Sequence, residues 1–270
     1  MRLALLGHPV AHSLSPSMHN TWLQEAGIVG RYDAIPIQKS VDFSLRAVMK
    51  REGLSGVNLT TPLKEVGFAQ VDRLSSSARA AGAVNTVCWD GDDLVGYNTD
   101  GDGFCHSLEL CCRPVDASMK VVILGAGGAA RGILAALTQR GVTNVTILNR
   151  TESRARTLID HFGQAGKMFY GPLEASAFMA LASDADLVVQ ATSGGGAVEI
   201  ESWSVSALAP DGIWVDLNYW MESQPQQDLC LGSGRNFLSG KPMLVCQGAL
   251  AFELFTGKVA NPSQFISKVR

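Results

Sequence analysis

The sequence predicts an α/β fold in two domains with largely parallel sheets, and three observations carry that expectation. Short apolar runs suited to buried strands alternate with segments of helical period along the whole chain, the pattern of repeated βαβ units. A polar break at residues 112–118 is followed by a new strand, a glycine-rich turn and an amphipathic helix. Finally, 270 residues, 46% hydrophobic and 17% charged, suffice for two cores of ordinary size and argue against disorder.

Taken in order, residues 3–6 read as a buried strand. Residues 15–26 read as a helix with Ser15 as N-cap, Pro16 at its first position and Gly27 after its end. Residues 31–37 are a strand, and the apolar spacing of residues 41–51 predicts a helix. Residues 56–59 form a short strand, after which Thr60-Thr61-Pro62 turns the chain into a helix over 64–71. Residues 84–89 and 94–98 predict a hairpin around Asp90-Gly91-Asp92. Past the polar break, 120–124 is an apolar strand, 125–128 a glycine-rich turn, 129–140 a helix and 144–148 the next strand. Later strands are expected at 187–190 and 213–216, and the pattern is helical again from Leu244 onward.

A net charge of −3 without a basic cluster gives no electrostatic footprint for nucleic acid or anionic membrane. Six cysteines include no C-x-x-C pair and no Cys/His set with zinc spacing. They read as buried free thiols in a reducing compartment. The apolar run at residues 3–6 is too short for a signal peptide and is cut off by Gly7-His8-Pro9. No stretch approaches the roughly 20 apolar residues of a membrane span, so a cytoplasmic protein is expected.

Gly125-Ala126-Gly127-Gly128-Ala129-Ala130 fits G-x-G-x-x-[GA], with an apolar strand entering and a helix leaving. The first glycine permits the tight turn, the second lets backbone approach a pyrophosphate, and Ala130 lets helix pack closely on strand. Free N–H groups of the helix then face the phosphates. At the end of the next strand a carboxylate would accept ribose hydroxyls. This chain instead has Asn149-Arg150-Thr151, then Arg154, and two guanidiniums could grip a 2′-phosphate. NADP is therefore favoured over NAD. The other reading leaves the turn ligand-free and both arginines as solvated charges.

Four segments of the first half place polar residues at or just beyond strand ends: 12–16, 58–64, 82–86 and 96–100. Ligands bind at such edges in open α/β sheets. Ser13 and Ser15 offer hydroxyls near a helix start, which suits a carboxylate, although Ser15 also reads as a plain N-cap. Lys64 stands at a helix start where the dipole disfavours a cation, which points to function, although a solvated lysine would also fit. Asp100 begins a helix and reads equally as a cap.

These segments, in this order over nearly the whole chain, resemble the shikimate dehydrogenase family. Residues 12–16, 58–64, 82–86 and 98–100 match its substrate-domain motifs. Residues 125–131 and 149–151 match its cofactor motifs, and Gly240-Lys241-Pro242-Met243-Leu244 with Gln247 matches its C-terminal one. The resemblance implies an N-terminal α/β substrate domain plus an NAD(P)-binding Rossmann domain with a cleft between them. It implies C-terminal helices returning to the first domain, so that residues 1–100 and 239–270 bind substrate and 101–238 bind cofactor.

By the same resemblance, Ser13 and Ser15 would bind the carboxylate of shikimate or 3-dehydroshikimate. Thr60, Lys64, Asn85, Asp100 and Gln247 would hold its ring hydroxyls, and Tyr219 would add a contact. Lys64 and Asp100 would be the catalytic pair. Gly125, Ala126, Gly127, Gly128, Ala129, Asn149, Arg150, Thr151, Arg154, Thr192, Leu217 and Gly240 would contact NADP. Three segments depart from the family pattern: 190–196, 220–226 and Pro242, where a glycine is usual. The activity implied is reversible NADP-dependent reduction of 3-dehydroshikimate in aromatic amino-acid biosynthesis, by a monomer or homodimer. A quinate/shikimate dehydrogenase or divergent paralogue is the near alternative. A shikimate-binding protein without turnover is the distant one, and retention of both Lys64 and Asp100 argues against it.

Overall fold

A computed structural model describes residues 1–38, 42–163, 167–192, 200, 202–219 and 224–269. The chain packs as two units, Met1–Phe104 with Met243–Val269, and Cys105–Pro242. Each holds a six-stranded sheet.

The first unit starts with β1 (Arg2–Gly7), α1 (Ser15–Glu25), β2 (Arg31–Pro36), α2 (Leu45–Arg51), β3 (Gly56–Leu59) and α3 (Lys64–Gln70). It continues through β4 (Arg73–Leu74), α4 (Ser76–Ala81), β5 (Thr86–Asp90), β6 (Asp93–Tyr97) and α5 (Asp100–Cys111). The strand order is β2-β1-β3-β5-β6-β4. As expected, most pairings are parallel, three of the five in this sheet, and the two antiparallel ones involve β5 of the predicted hairpin. β1 runs parallel to β2 and β3, but β5 is antiparallel to β3 and β6. The cause is local: Gly91 takes φ +62° in a two-residue turn, and a tight hairpin makes its strands antiparallel.

Two helix starts differ from expectation. Leu14, already helical at φ −79°, ψ −11°, occupies the cap position of α1 with no side-chain cap bond. Ser15 is thus the first helical residue rather than the N-cap, because Ser13 N–H donates to Val10 O and curls the chain before the helix begins. Helix α2 begins at Leu45, not at residue 41, because extended Ser44 accepts the Ala47 N–H and fixes the cap there. Residue 41 lies outside the described residues.

The second unit is wholly parallel. It contains β7 (Lys120–Leu124), α6 (Gly128–Gln139), β8 (Asn144–Leu148), α7 (Glu152–Phe162), β9 (Lys167–Gly171), α8 (Ala175–Leu181) and β10 (Ala185–Gln190). Then come β11 (Leu208–Asp216), α9 (Pro225–Gly232) and β12 (Asn236–Ser239). The order β12-β11-β10-β7-β8-β9 reverses direction between β7 and β10, the switch point where such sheets bind ligands. One face buries Val122, Leu124, Val188 and Trp214 against Phe178 of α8 and Cys230 of α9. Helices α10 (Lys241–Thr256) and α11 (Ser263–Val269) end the chain. No helix among the described residues is long and apolar enough to cross a membrane. None of the six cysteines is in a disulfide, and only Cys105, Cys230 and Cys246 are buried; Cys88 and Cys111 are half-buried and Cys112 is exposed.

The core of the first unit contains a buried histidine. His19 of α1 stacks on Tyr32 at 4.2 Å between centroids and meets Trp22 edge-on at 5.3 Å. Burial pushes its pKa down from 6.5 to about 3, so the folded protein carries it neutral. The unfolded chain takes up this proton below pH 6.5, whereas the folded chain resists until about 3. Stability therefore falls as pH drops through that window, by about 1.4 kcal/mol per pH unit. Lowering the pH from 7.5 to 5 should cost about 2 kcal/mol through this residue. Chemical denaturation at several pH values should show that component missing in His19→Phe.

Candidate active site

Lys64 opens α3, just after the turn that follows β3, and Asp100 opens α5, just after β6. Their side chains meet with Nζ donating to Oδ2 at 2.6 Å. The lysine side chain is 23% exposed and the carboxylate 6%, so one partner is anchored in the protein while the other reaches open space. Asn98 Oδ1 accepts the Asp100 N–H at 3.0 Å and so turns the chain into α5. The carboxylate sits in the first turn of a twelve-residue helix, where the dipole favours an anion.

The second carboxylate oxygen of Asp100 accepts from Asn85 Nδ2 at 2.8 Å. Asn85 Oδ1 in turn accepts the Thr99 N–H and the Thr86 hydroxyl, both at 2.9 Å. Gln247 of α10 reaches the same cluster, its Oε1 3.4 Å from Asn85 Nδ2 and from Thr99 Oγ1. Gly103 makes this possible: a Cβ there would stand 2.6–2.7 Å from Gln247 Cβ, N and Cα. Residues separated by more than 140 positions thus converge on one polar cluster.

Ser13, Ser15 and Thr60 leave the same edge of the sheet, since β1 and β3 are adjacent and parallel. Gly7 (φ +155°) brings the segment after β1 against Thr60; a Cβ there would meet Thr60 Cγ2 at 2.4 Å. Ser13 Oγ donates to Ser15 Oγ and accepts the Ser15 N–H, both at 3.2 Å. The two hydroxyls therefore lie side by side at the start of α1.

In the second unit the glycine-rich turn has the geometry that a dinucleotide needs. Gly125 takes φ +110°, and a Cβ there would press on Ala191 and Thr192 backbone at 3.1 Å. Above Gly127 and Gly128 an added Cβ would meet nothing within 4 Å, which leaves backbone N–H groups open to phosphate. Ala126 is buried in the turn, and Ala129 follows in the first turn of α6. Thr192 Oγ1 is buried and has no partner among the described residues, as suits a group awaiting a ligand.

Asn149 Nδ2 donates to Thr151 O at 2.8 Å, which shapes the turn into α7. Arg150 and Arg154 are exposed and have no ion-pair partner among the described residues. The one carboxylate of that first helical turn, Glu152, is taken by Arg156 at 2.5 Å. Gly240 packs on Leu217, where a Cβ would stand 2.9 Å from Leu217 Cα and O. Tyr219 is half-buried nearby in sequence, its phenol pKa raised by burial. Of the departing segments, Gln190 ends β10, whereas residues 193–196 and 220–223 lie outside the described residues. Pro242 falls in the first turn of α10, where a missing N–H breaks no helical bond.

Several residues of the cluster carried no role in the sequence reading. Asn58, Thr86, Asn98 and Thr99 lay within the quoted segments, and their signal was an excess of polar residues beside buried strands. Gly103 was missed; its signal is a glycine inside a helix.

Known proteins resemble this chain over nearly its whole length. Residues 5–87 match the model of the shikimate dehydrogenase substrate binding domain. Residues 113–218 match shikimate / quinate 5-dehydrogenase, and residues 242–270 match the shikimate 5'-dehydrogenase C-terminal domain. A shikimate dehydrogenase (NADP(+)) of an Exiguobacterium species is 38% identical over 268 residues, covering 99% of this chain and 97% of that one. The crystal structure of shikimate 5-dehydrogenase from Thermus thermophilus in complex with NADP(H) and shikimate superposes with a TM-score of 0.83. It is 37% identical and the match covers 100% and 98% of the two chains. Quinate dehydrogenase from Corynebacterium glutamicum in complex with NAD gives 0.82 at 28% identity over 99% of both. The chain belongs to the shikimate dehydrogenase family.

Proposed function

We propose that this protein is an NADP-dependent shikimate dehydrogenase, reversibly reducing 3-dehydroshikimate to shikimate on the route to aromatic amino acids. The observation that carries the reading is the Lys64–Asp100 contact at 2.6 Å with the Asn85 and Gln247 amides beside it, in a chain of this family. Residues 1–100 and 239–270 would bind substrate and residues 101–238 the dinucleotide. The protein would work in the cytoplasm, as a monomer or homodimer.

Ser13 and Ser15 would hold the substrate carboxylate. Thr60, Asn85 and Gln247, with a contact from Tyr219, would hold the ring hydroxyls and so set which ring carbon is presented. NADP, when bound, supplies or takes up the hydride. The turn Gly125–Gly128 with Ala129 and Thr192 would hold its phosphates and ribose, while Asn149, Arg150, Thr151 and Arg154 would hold the adenosine end with its 2′-phosphate. Leu217 and Gly240 would flank the nicotinamide. As the carbonyl oxygen of the substrate gains negative charge, the Lys64 ammonium stabilises it and delivers the proton. Asp100 holds that ammonium in place, so little reorganisation is needed at the moment of reaction.

The test is the absorbance of reduced nicotinamide after purified protein is mixed with shikimate and NADP+, then with NAD+, and with quinate in place of shikimate. Rapid reduction of NADP+ by shikimate is expected. Faster turnover of quinate with NAD+ would move the assignment to the quinate branch. Shikimate binding without turnover would make the chain a binding protein.

A further inference from the structure

Behind the Lys64–Asp100 pair lies a chain of hydrogen bonds whose direction is the same at every step. Tyr32 Oη donates to Asn58 Oδ1 at 2.8 Å. Asn58 Nδ2 donates to Thr86 Oγ1 at 3.0 Å and to the Asn85 carbonyl at 3.1 Å. Thr86 Oγ1 donates to Asn85 Oδ1 at 2.9 Å. Asn85 Nδ2 donates to Asp100 Oδ1 at 2.8 Å, and Lys64 Nζ donates to the other oxygen. Tyr32, Asn58, Asn85, Thr86 and Asp100 are all at most 6% exposed, so water does not substitute for these partners.

The direction follows from fixed groups. The Asn85 carbonyl and the Thr99 N–H are backbone, one only an acceptor and the other only a donor. The carbonyl obliges Asn58 to turn its NH2 inward and its oxygen to Tyr32. The Thr99 N–H, at 2.9 Å from Asn85 Oδ1, obliges Asn85 to turn its NH2 toward Asp100. The Thr86 hydroxyl, accepting from Asn58, has one proton to give and gives it to Asn85.

The far end of the chain is held rigidly. Asn20 of α1 clamps the Tyr32 backbone on both sides, Nδ2 donating to its carbonyl at 2.9 Å and Oδ1 accepting its N–H at 2.8 Å. His19, one residue earlier, stacks on the Tyr32 ring with 8° between planes. Burial keeps the phenol protonated, its pKa raised well above 10, so Tyr32 remains a donor at every working pH.

We propose that Tyr32 and Thr86 are positioning residues for catalysis: acting through Asn58 and Asn85, they hold the Asp100 carboxylate in the single orientation that presents Lys64. Neither touches the reacting atoms. Without the Thr86 hydroxyl, Asn85 keeps the Thr99 N–H and Asn58 keeps the Asn85 carbonyl, so the fold survives while the amide next to Asp100 is held by fewer bonds. The inference rests on Lys64 and Asp100 being the reacting pair.

The experiment compares Thr86→Val, Thr86→Ser, Tyr32→Phe and Lys64→Ala in steady-state shikimate oxidation with NADP+. Thr86→Val keeps the side-chain shape and removes the hydroxyl; it should lower kcat about tenfold with KM for shikimate changed less than about threefold, the size of one hydrogen bond. Thr86→Ser should restore kcat to within about threefold of the parent, because it restores the donor. Tyr32→Phe should lower kcat in the same direction, and decides alone if Thr86→Val does not fold. Parental kcat in Thr86→Val and Tyr32→Phe, alongside a dead Lys64→Ala, would overturn the positioning role and leave the catalytic pair intact. Thr86→Ser as slow as Thr86→Val would overturn it as well, by pointing to the methyl rather than the hydroxyl. Normal turnover in Lys64→Ala would instead remove the reacting pair, and the positioning role with it.

Discussion

Replacing Lys64 with alanine should lower kcat for shikimate oxidation by on the order of a thousandfold, the size of a lost general acid–base group with its charge. KM for shikimate should rise only several-fold, roughly the loss of one hydrogen bond to substrate. The split follows from position. Lys64 is the proposed proton donor and one of several groups proposed to hold hydroxyls, whereas Ser13, Ser15, Thr60, Asn85 and Gln247 all remain. The variant leaves Asp100 buried at 5% exposure with Asn85 Nδ2 still on one oxygen, so the fold should survive with reduced stability. Steady-state kinetics on protein checked by circular dichroism would measure it. A kcat within tenfold of the parent would remove Lys64 from the chemistry.

The second large effect is expected at the cofactor. Removing both guanidiniums in the double variant Arg150→Ala, Arg154→Ala should raise KM for NADP+ by about 10- to 100-fold and leave that for NAD+ nearly unchanged. Each charge-assisted bond to a 2′-phosphate contributes about 1.5–3 kcal/mol when shielded. Both residues are exposed, so solvent and salt reduce that figure. The parental preference for NADP+ should therefore weaken as ionic strength rises, and the double variant should show little such dependence. Equal loss with both cofactors would mean that these arginines support the turn instead of reading the phosphate.

Much of the second unit was legible before any coordinates. Strands β7 and β8 were predicted residue for residue, because a fully buried parallel strand is a continuous apolar run bounded by turn residues. The glycine-rich turn was legible for a related reason: Gly125 at φ +110° needs a residue without Cβ. Helix α7 was given no bounds, and strands β9 and β12 and helices α8 and α9 were not read. The unread elements are short, and β9 alternates exposed with half-buried residues at the sheet edge, so their patterns resemble those of loops. β11 begins at Leu208, five residues before the expected strand, because its pairing with β10 passes an irregularity at Ala185–Leu187 that no local pattern records.

By itself the sequence determined the element types wherever periodicity was strong, the glycine-rich turn, and, through its family motifs, the segments that carry Lys64, Asn85, Asp100 and Gln247. It could not tell whether Ser15 and Asp100 were caps or ligand groups, since a serine or aspartate at a helix start reads the same either way. Tertiary structure shows that neither stands at the cap position. The cap position of α1 is Leu14, and Asp100 is the first residue of α5, its carboxylate accepting from Lys64 and Asn85. The directed bonds from Tyr32 to Asp100 likewise exist only after folding. Each joins strands or helix starts far apart in sequence, and an amide's orientation is set by partners that no sequence spacing reveals.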